Sequence, residues 1–147
     1  IIVSSHEKGI KYESLESVIK LTEQYFNIYF SSPLGGIIQF IQDEEEKNKE
    51  YIEKKSTPFD LVDPHKYSAL FIPSMYCSFV DLSNNERLGY ILNEMHRERK
   101  LICGIGYGVS ALLSARTACN NPLSNEKYEW TFEGCTLTAP TLFEEMN

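Results

Sequence analysis

The residues best placed to do chemistry lie in Leu101-Ile102-Cys103-Gly104-Ile105-Gly106-Tyr107-Gly108-Val109, an apolar run that passes through a glycine-rich turn. A buried strand turning sharply into a helix is the geometry of a nucleophile elbow, which presents its reactive side chain from a strained backbone. Holding a non-glycine residue in that conformation costs about 1–3 kcal/mol; glycine adopts it freely. The tip of the turn falls at Gly106. The segment therefore has the form of an elbow with no side chain at its tip, and no catalytic residue is expected.

Neighbouring residues offer weaker chemistry. Cys103 lies inside the strand, where apolar surroundings raise a thiol's pKa, and reads as a core thiol. Cys77 sits on the turn Pro73–Phe79 at the same sheet edge and reads as a loop cysteine, with a redox-sensitive thiol as the alternative. Ser74 and Ser110 bring hydroxyls without a recognisable His/Asp pair. Tyr107 is either a hydrogen-bond donor in a small-molecule pocket or an aromatic plug of the cleft. Gly104-x-Gly106-x-Gly108 misses the dinucleotide fingerprint, because Val109 stands where the third glycine belongs and the run lies on the fourth strand. The four cysteines, Cys77, Cys103, Cys119 and Cys135, form no Cys-x-x-Cys pair. With His6, His65 and His96 scattered, neither a metal nor a cofactor is expected. Two of the cysteines, Cys103 and Cys135, fall in runs that read as strands, as reduced thiols of an intracellular protein do.

These turns need a scaffold to bring them together. Ile1–Ser5 is an apolar run ending in small polar residues, as in a buried parallel strand. Leu15, Val18, Ile19 and Thr22 form the stripe of an amphipathic helix. Phe26–Ser31 reads as a strand, Ile37–Ile41 as a short further one, and Asp43–Lys55 as a charged, exposed helix. Ser68–Pro73 is a third strand, stopped by proline. Ser83 and Glu86 have capping-box spacing ahead of Leu88, Ile91, Leu92 and Met95 at helical period. Arg97, Arg99 and Lys100 read as that helix's cationic end. Lys100–Ile105 is a fourth strand, and Val109, Leu112 and Leu113 open another helix. Trp130–Phe132 and Cys135–Thr138 read as short strands, and Pro140 starts a last helix. Strands alternating with helices predict an α/β three-layer sandwich, a mostly parallel central sheet with helices on both faces. Ligands in such sheets bind at the carboxyl ends of the strands. The crevice is therefore expected between Ser4–Gly9, Pro73–Phe79 and Gly104–Gly108, with Glu7, Ser74, Cys77 and Tyr107 lining it.

The 147 residues suit one domain, and the net charge of −7 disfavours direct contact with nucleic acid. No apolar run has the length of a membrane span, and no signal peptide is legible. The chain opens with Ile1-Ile2-Val3 inside an apparent core strand and without an initiator Met, so truncation at its start is expected.

Tyr67–Pro73, Asp81-Leu82, the Leu88–Met95 helix and Lys100–Leu112 together resemble the PfpI-type branch of the class I glutamine-amidotransferase-like superfamily. In that pattern the third strand ends in Pro-Gly-Gly and the elbow reads Ile-Cys-His-Gly. Here Gly106 falls on the cysteine, Tyr107 on the histidine, and Ser74-Met75 replaces the paired glycines. Glu7 or Gly9 stands at the family's glutamate. Within the superfamily, Ile72-Pro73-Ser74, the set Ile102, Cys103, Gly106, Gly108 and Val109, and Leu137–Pro140 resemble the glutamine amidotransferase-like class 1 domain-containing protein 1 group. The resemblance implies a flavodoxin-like, class I amidotransferase-like fold, a homo-oligomer, and truncation after Asn147 as well as at the start. It also implies a subunit role beside other proteins, in animals in the FERRY complex of early endosomes, with any link to RNA indirect. On this reading the chain is a pseudoenzyme scaffold in the cytoplasm or on endosomes. The alternative is a cysteine-dependent hydrolase or small-carbonyl-processing enzyme using Cys77 or Cys103.

Overall fold

The computed structural model describes residues 1–41, 55–118 and 127–138. Helix α1 spans Tyr12–Thr22, and its stripe of Leu15, Val18, Ile19 and Thr22 is buried as the spacing predicts. Two short strands follow, β1 at Ser31–Ser32 and β2 at Gly36–Ile37. Strand β3, Lys55–Pro58, runs parallel to β1 and antiparallel to β2. Two 3-10 turns, Phe59–Leu61 and Pro64–Lys66, lead to β4 at Ala69–Ile72. Helix α2 is a single turn at Ser78–Asp81, and α3 spans Glu86–Arg97. Strand β5, Leu101–Gly104, pairs in parallel with β4, with Ile72 opposite Gly104. A 3-10 run then covers Gly106–Ser114, and β6 (Arg116–Ala118) pairs antiparallel with β7 (Tyr128–Trp130).

The opening residues join β1 of the three-stranded sheet to β4 of the β4–β5 pair. The Ile2 amide donates to the Phe71 carbonyl at 2.8 Å, and the Val3 amide to the Ser31 carbonyl at 2.8 Å. Ile1–Val3 therefore lies in extended form between β1 and β4. The buried apolar side chains form one cluster that runs from Ile2 to Phe132 and takes in α1, β4 and α3. Leu88, Ile91, Leu92 and Met95 contribute the deepest part of it, each at most 1% exposed. Burying a side chain of this kind stabilises by roughly 1.5–3 kcal/mol. Among the described residues no helix is long and apolar enough to cross a membrane.

Several expectations need correction. The second strand is only Ser31–Ser32; Tyr25 and Phe26 amides turn back to the Thr22 carbonyl, so this stretch closes α1 and Tyr25, Phe26 and Tyr29 stay exposed. Asn85, not Ser83, caps α3: its side-chain oxygen accepts from the Leu88 amide at 2.9 Å, and the Ser83 hydroxyl bonds back to Phe79. Lys100 closes the end of α3, its amide donating to the Met95 carbonyl at 2.9 Å and its ammonium lying 2.8 Å from the Glu98 carboxylate, and it also reaches across to a turn. Its ammonium donates to the Pro64 and His65 carbonyls, closing the 3-10 turn there. Cys135–Thr138 is neither strand nor buried. The charged segment from Asp43, short of its final Lys55, and the helix expected from Pro140 lie outside the described residues.

The expected α-helix after the elbow is the 3-10 run instead. Hydroxyls compete for its carbonyls: Ser110 Oγ donates to Tyr107 O at 2.8 Å and Ser114 Oγ to Ala111 O at 2.7 Å. Such local bonds draw the backbone away from the regular i to i−4 pattern.

Helix α3 meets this run at closest range through Gly89. A Cβ built there would stand 2.2 Å from the Ser114 carbonyl oxygen, a backbone atom that cannot swing aside. Gly89→Ala is expected to destabilise the fold by about 2–4 kcal/mol, although alanine normally favours a helix interior by about 1 kcal/mol. Urea unfolding measures this, and a neutral or stabilising result would mean that α3 does not seat as described.

Candidate functional site

The turn after β5 is fixed by backbone bonds before any side chain is considered. The Ile105 amide donates to the Ile72 carbonyl at 2.9 Å, so the chain leaving β5 stays attached to the end of β4. Gly108 then passes so close that a Cβ would lie 2.4 Å from Ile72 O and 2.5 Å from Pro73 O. Gly106, at the tip, has φ +52°, the left-handed conformation that costs other residues about 1–2 kcal/mol.

The space over Gly106 is already taken. A Cβ at 106 would meet Ser74 Oγ at 2.5 Å and Ser74 Cβ at 3.0 Å, so rotating the serine hydroxyl away does not clear it. Ser74 Oγ also accepts from the Tyr107 amide at 3.3 Å. In an elbow enzyme the amide that follows the nucleophile is an oxyanion donor. Here that amide faces the hydroxyl of Ser74.

A hydroxyl cluster ties the two turns together. Ser78 is fully buried, and its Oγ lies 2.7 Å from Tyr107 O, 2.7 Å from Met75 O and 2.9 Å from Ser110 Oγ. Since the Ser78 amide also reaches Met75 O, the hydroxyl proton is available to Tyr107.

An open cleft of about 660 Å³ lies against these turns, and Glu7, Ser74, Cys77 and Tyr107 all line it. Gly106 is not among its lining residues. At the Ser4–Gly9 turn, Gly9 has φ +60° and a Cβ there would overlap the Gln39 carbonyl at 2.1 Å. A glutamate side chain cannot be carried at position 9, whereas exposed Glu7 faces the cleft. Lys8, Lys11 and Ser14, which also line the cleft, were missed from sequence. The signal was their position in and just after the first sheet-edge turn. Tyr76 and Phe79 were missed as well; they pack edge-on against Tyr107 with centroids 5.6 and 6.0 Å away.

Burial acts against thiolate formation at both candidate cysteines. Cys77 is 2% exposed and donates through Sγ to the Gly9 carbonyl at 3.0 Å. Burial pushes its pKa above the ordinary 9.0, and the nearby Asp81 carboxylate adds to the rise. Burial likewise raises Cys103, which lies half-buried in β5. Cys77, Cys103 and Cys135 are free thiols, Cys135 being exposed; Cys119 lies outside the described residues. Asp81 holds the first turn in place, accepting from Ser4 Oγ and the Ser5 amide, both at 2.8 Å. The second carboxylate oxygen of Asp81 is buried without a partner. His6 accepts from the Lys8 amide and His65 contacts Glu98, far along the chain from the elbow. Among the described residues no group of three or more His, Cys, Asp or Glu side chains is arranged to hold a metal.

With the geometry in place, the comparisons with known proteins decide the resemblance. The Bos taurus glutamine amidotransferase-like class 1 domain-containing protein 1 is 28% identical over 151 residues, covering 98% of this chain and 64% of that protein. The Homo sapiens protein of the same name gives the same figures, and the Danio rerio one is 26% identical over 150 residues. The chain is similar to the glutamine amidotransferase-like class 1 domain-containing protein 1 group. It spans about 64% of the length of the bovine and human relatives. No protein-family model matches the chain. Among solved structures, the Francisella tularensis Rapid Encystment Protein 24 kDa superposes with a TM-score of 0.64 at 19% identity, covering 79% of this chain and 61% of that one. The ThiJ/PfpI domain protein of Brachyspira murdochii gives 0.61 at 19%, covering 78% and 61%. These likenesses establish an α/β fold of the ThiJ/PfpI kind.

Two outcomes follow from the geometry. Gly106→Ala is expected to cost about 3 kcal/mol alone but only about 1–2 kcal/mol in a Ser74→Gly background, since the overlap is gone and the left-handed strain remains. Urea unfolding of the four proteins measures the coupling, and additive costs would rule out Ser74 as the obstacle. In alkylation at pH 8 mapped by mass spectrometry, Cys77 is expected to react at least about 10-fold more slowly than Cys135. The sign follows from the raised pKa: at any pH below it less thiolate forms in the folded state. For the same reason the contribution of Cys77 to stability holds below pH 9.0 and falls as pH climbs past it.

Proposed function

We propose that this chain is a non-catalytic amidotransferase-like domain that keeps an enzyme's fold as a scaffold subunit of a larger protein assembly. The observation that carries the reading is the glycine at the elbow tip, with the Ser74 hydroxyl over it and against the neighbouring amide. An acyl-transfer site needs a nucleophile and a free oxyanion donor at that point. The raised pKa values of Cys77 and Cys103 count against a substitute nucleophile, and so against the cysteine-dependent hydrolase or small-carbonyl enzyme.

The finer reading of the fold is one domain built as a three-layer sandwich on a mostly parallel sheet. The parallel pairings of β1 with β3 and β4 with β5, and the seating of Ile1–Val3 between them, support it. The resemblance to the glutamine amidotransferase-like class 1 domain-containing protein 1 group implies a cytoplasmic, early-endosomal place in a FERRY-type assembly with a homo-oligomer as its core unit. The 28% identity to the Bos taurus and Homo sapiens proteins supports that resemblance alone. The acidic balance of 21 to 14 charged residues fits an indirect rather than direct contact with RNA.

The test is the native mass of the full-length protein, tagged at its own locus and taken from gentle lysate. A stable hetero-assembly several times the mass of a homo-oligomer is expected. A lone dimer or tetramer, with ester or small-carbonyl turnover lost on Cys77→Ser, would overturn the scaffold reading in favour of the enzyme.

A further inference from the structure

The cleft has a chemical polarity that the loss of an elbow nucleophile does not require. Among the described residues its charged lining is Lys8, Lys11 and Glu7, two cations to one anion, with the Asp81 carboxylate close enough to Cys77 to act on its thiol. Lys11 and Ser14 come from the start of α1, so the positive end of that helix dipole adds to the field. The opposite side is aromatic. Tyr76 and Tyr107 both line it and pack edge-on with centroids 5.6 Å apart, and neither phenol has a hydrogen-bond partner among the described residues. Ser74 adds a hydroxyl between the two sides. The volume of about 660 Å³ falls within the range of small-molecule sites, roughly 300–1,000 Å³.

We propose that this cleft binds a small aromatic carboxylate, its anion between Lys8 and Lys11 and its ring against Tyr76 and Tyr107. A carboxylate pairs with the ammonium groups through charge-assisted hydrogen bonds, and the Ser14 and Ser74 hydroxyls complete its acceptor sites. Edge-to-face contact suits a planar ring, whose positive rim meets a tyrosine face. Glu7 limits the anion to one or two charges by repulsion. The inference goes beyond the scaffold reading and rests on it in one respect, that the bound molecule leaves unchanged.

Benzoate is the probe, with benzamide as its neutral isostere and inorganic phosphate as an anion without a ring. Isothermal titration of the folded chain, with amide NMR shifts to locate the site, is expected to show benzoate binding at least about 10-fold tighter than benzamide. Lys8→Ala/Lys11→Ala, at two exposed positions, is expected to erase that preference. Tyr107→Leu is expected to weaken both ring compounds about 5-fold. Equal binding of benzoate and benzamide, phosphate binding as tightly as benzoate, or shifts away from Lys8–Lys11 and Tyr107 would overturn the proposal. Failure here alongside a large native assembly leaves the scaffold reading standing. Hydrolysis of phenyl acetate in the cleft would remove the scaffold reading while the binding data stood apart.

Discussion

One buried hydroxyl sets the geometry on which the cleft depends. Ser78 sits in the single turn α2, yet its Oγ reaches the backbone at Met75 and at Tyr107, two turns that follow different strands. Ser110 doubles the link. With the Ile105–Ile72 bond and the tight pass of Gly108, this holds the ends of β4 and β5 at one spacing. The position of Ser74 over Gly106 follows from that spacing. So does the placing of Tyr107 beside Tyr76 and Phe79. Low-dielectric surroundings strengthen such bonds, and an orphaned Tyr107 carbonyl would be costly.

Much of the scaffold was legible from periodicity alone. Leu88, Ile91, Leu92 and Met95 announced α3, and all four prove to be deep core, because a 3.6-residue stripe has few alternatives once the rest of the segment is polar. Strands β4 and β5 were legible as short apolar runs stopped by Pro73 and by glycine. What periodicity could not see was competition by side-chain hydroxyls. Ser110 and Ser114 look like neutral helix residues, yet they bind their own carbonyls and leave a 3-10 run. Asn85 and Ser83 both carry capping chemistry, and only the direction of the chain after α2 chooses between them. Phe26–Ser31 has strand composition, but the end of α1 claims its first residues.

The candidate site was legible as a list of turns and not as a set of contacts. Glu7, Ser74, Cys77 and Tyr107 could be assigned to one crevice because strand ends converge in an α/β sheet. The lysines on its rim were invisible, since exposed lysines are common everywhere on an acidic chain. The overlap between Ser74 and position 106 was equally out of reach, because it depends on tenths of an ångström between residues far apart in sequence. Comparison with known proteins shows what the chain is similar to and supports its fold, while the local packing decides what the crevice can do.

The interlock of Ser74 with Gly106 also gives the site a direction in time. A side chain placed at the elbow tip meets the serine, whereas removing the serine first opens the way and frees the Tyr107 amide. Of the two orders in which a tip residue could be introduced, one passes through an intermediate with overlapping atoms and the other does not. Steric packing of this kind acts as a ratchet: it makes the order of two changes matter, although each by itself is a single substitution.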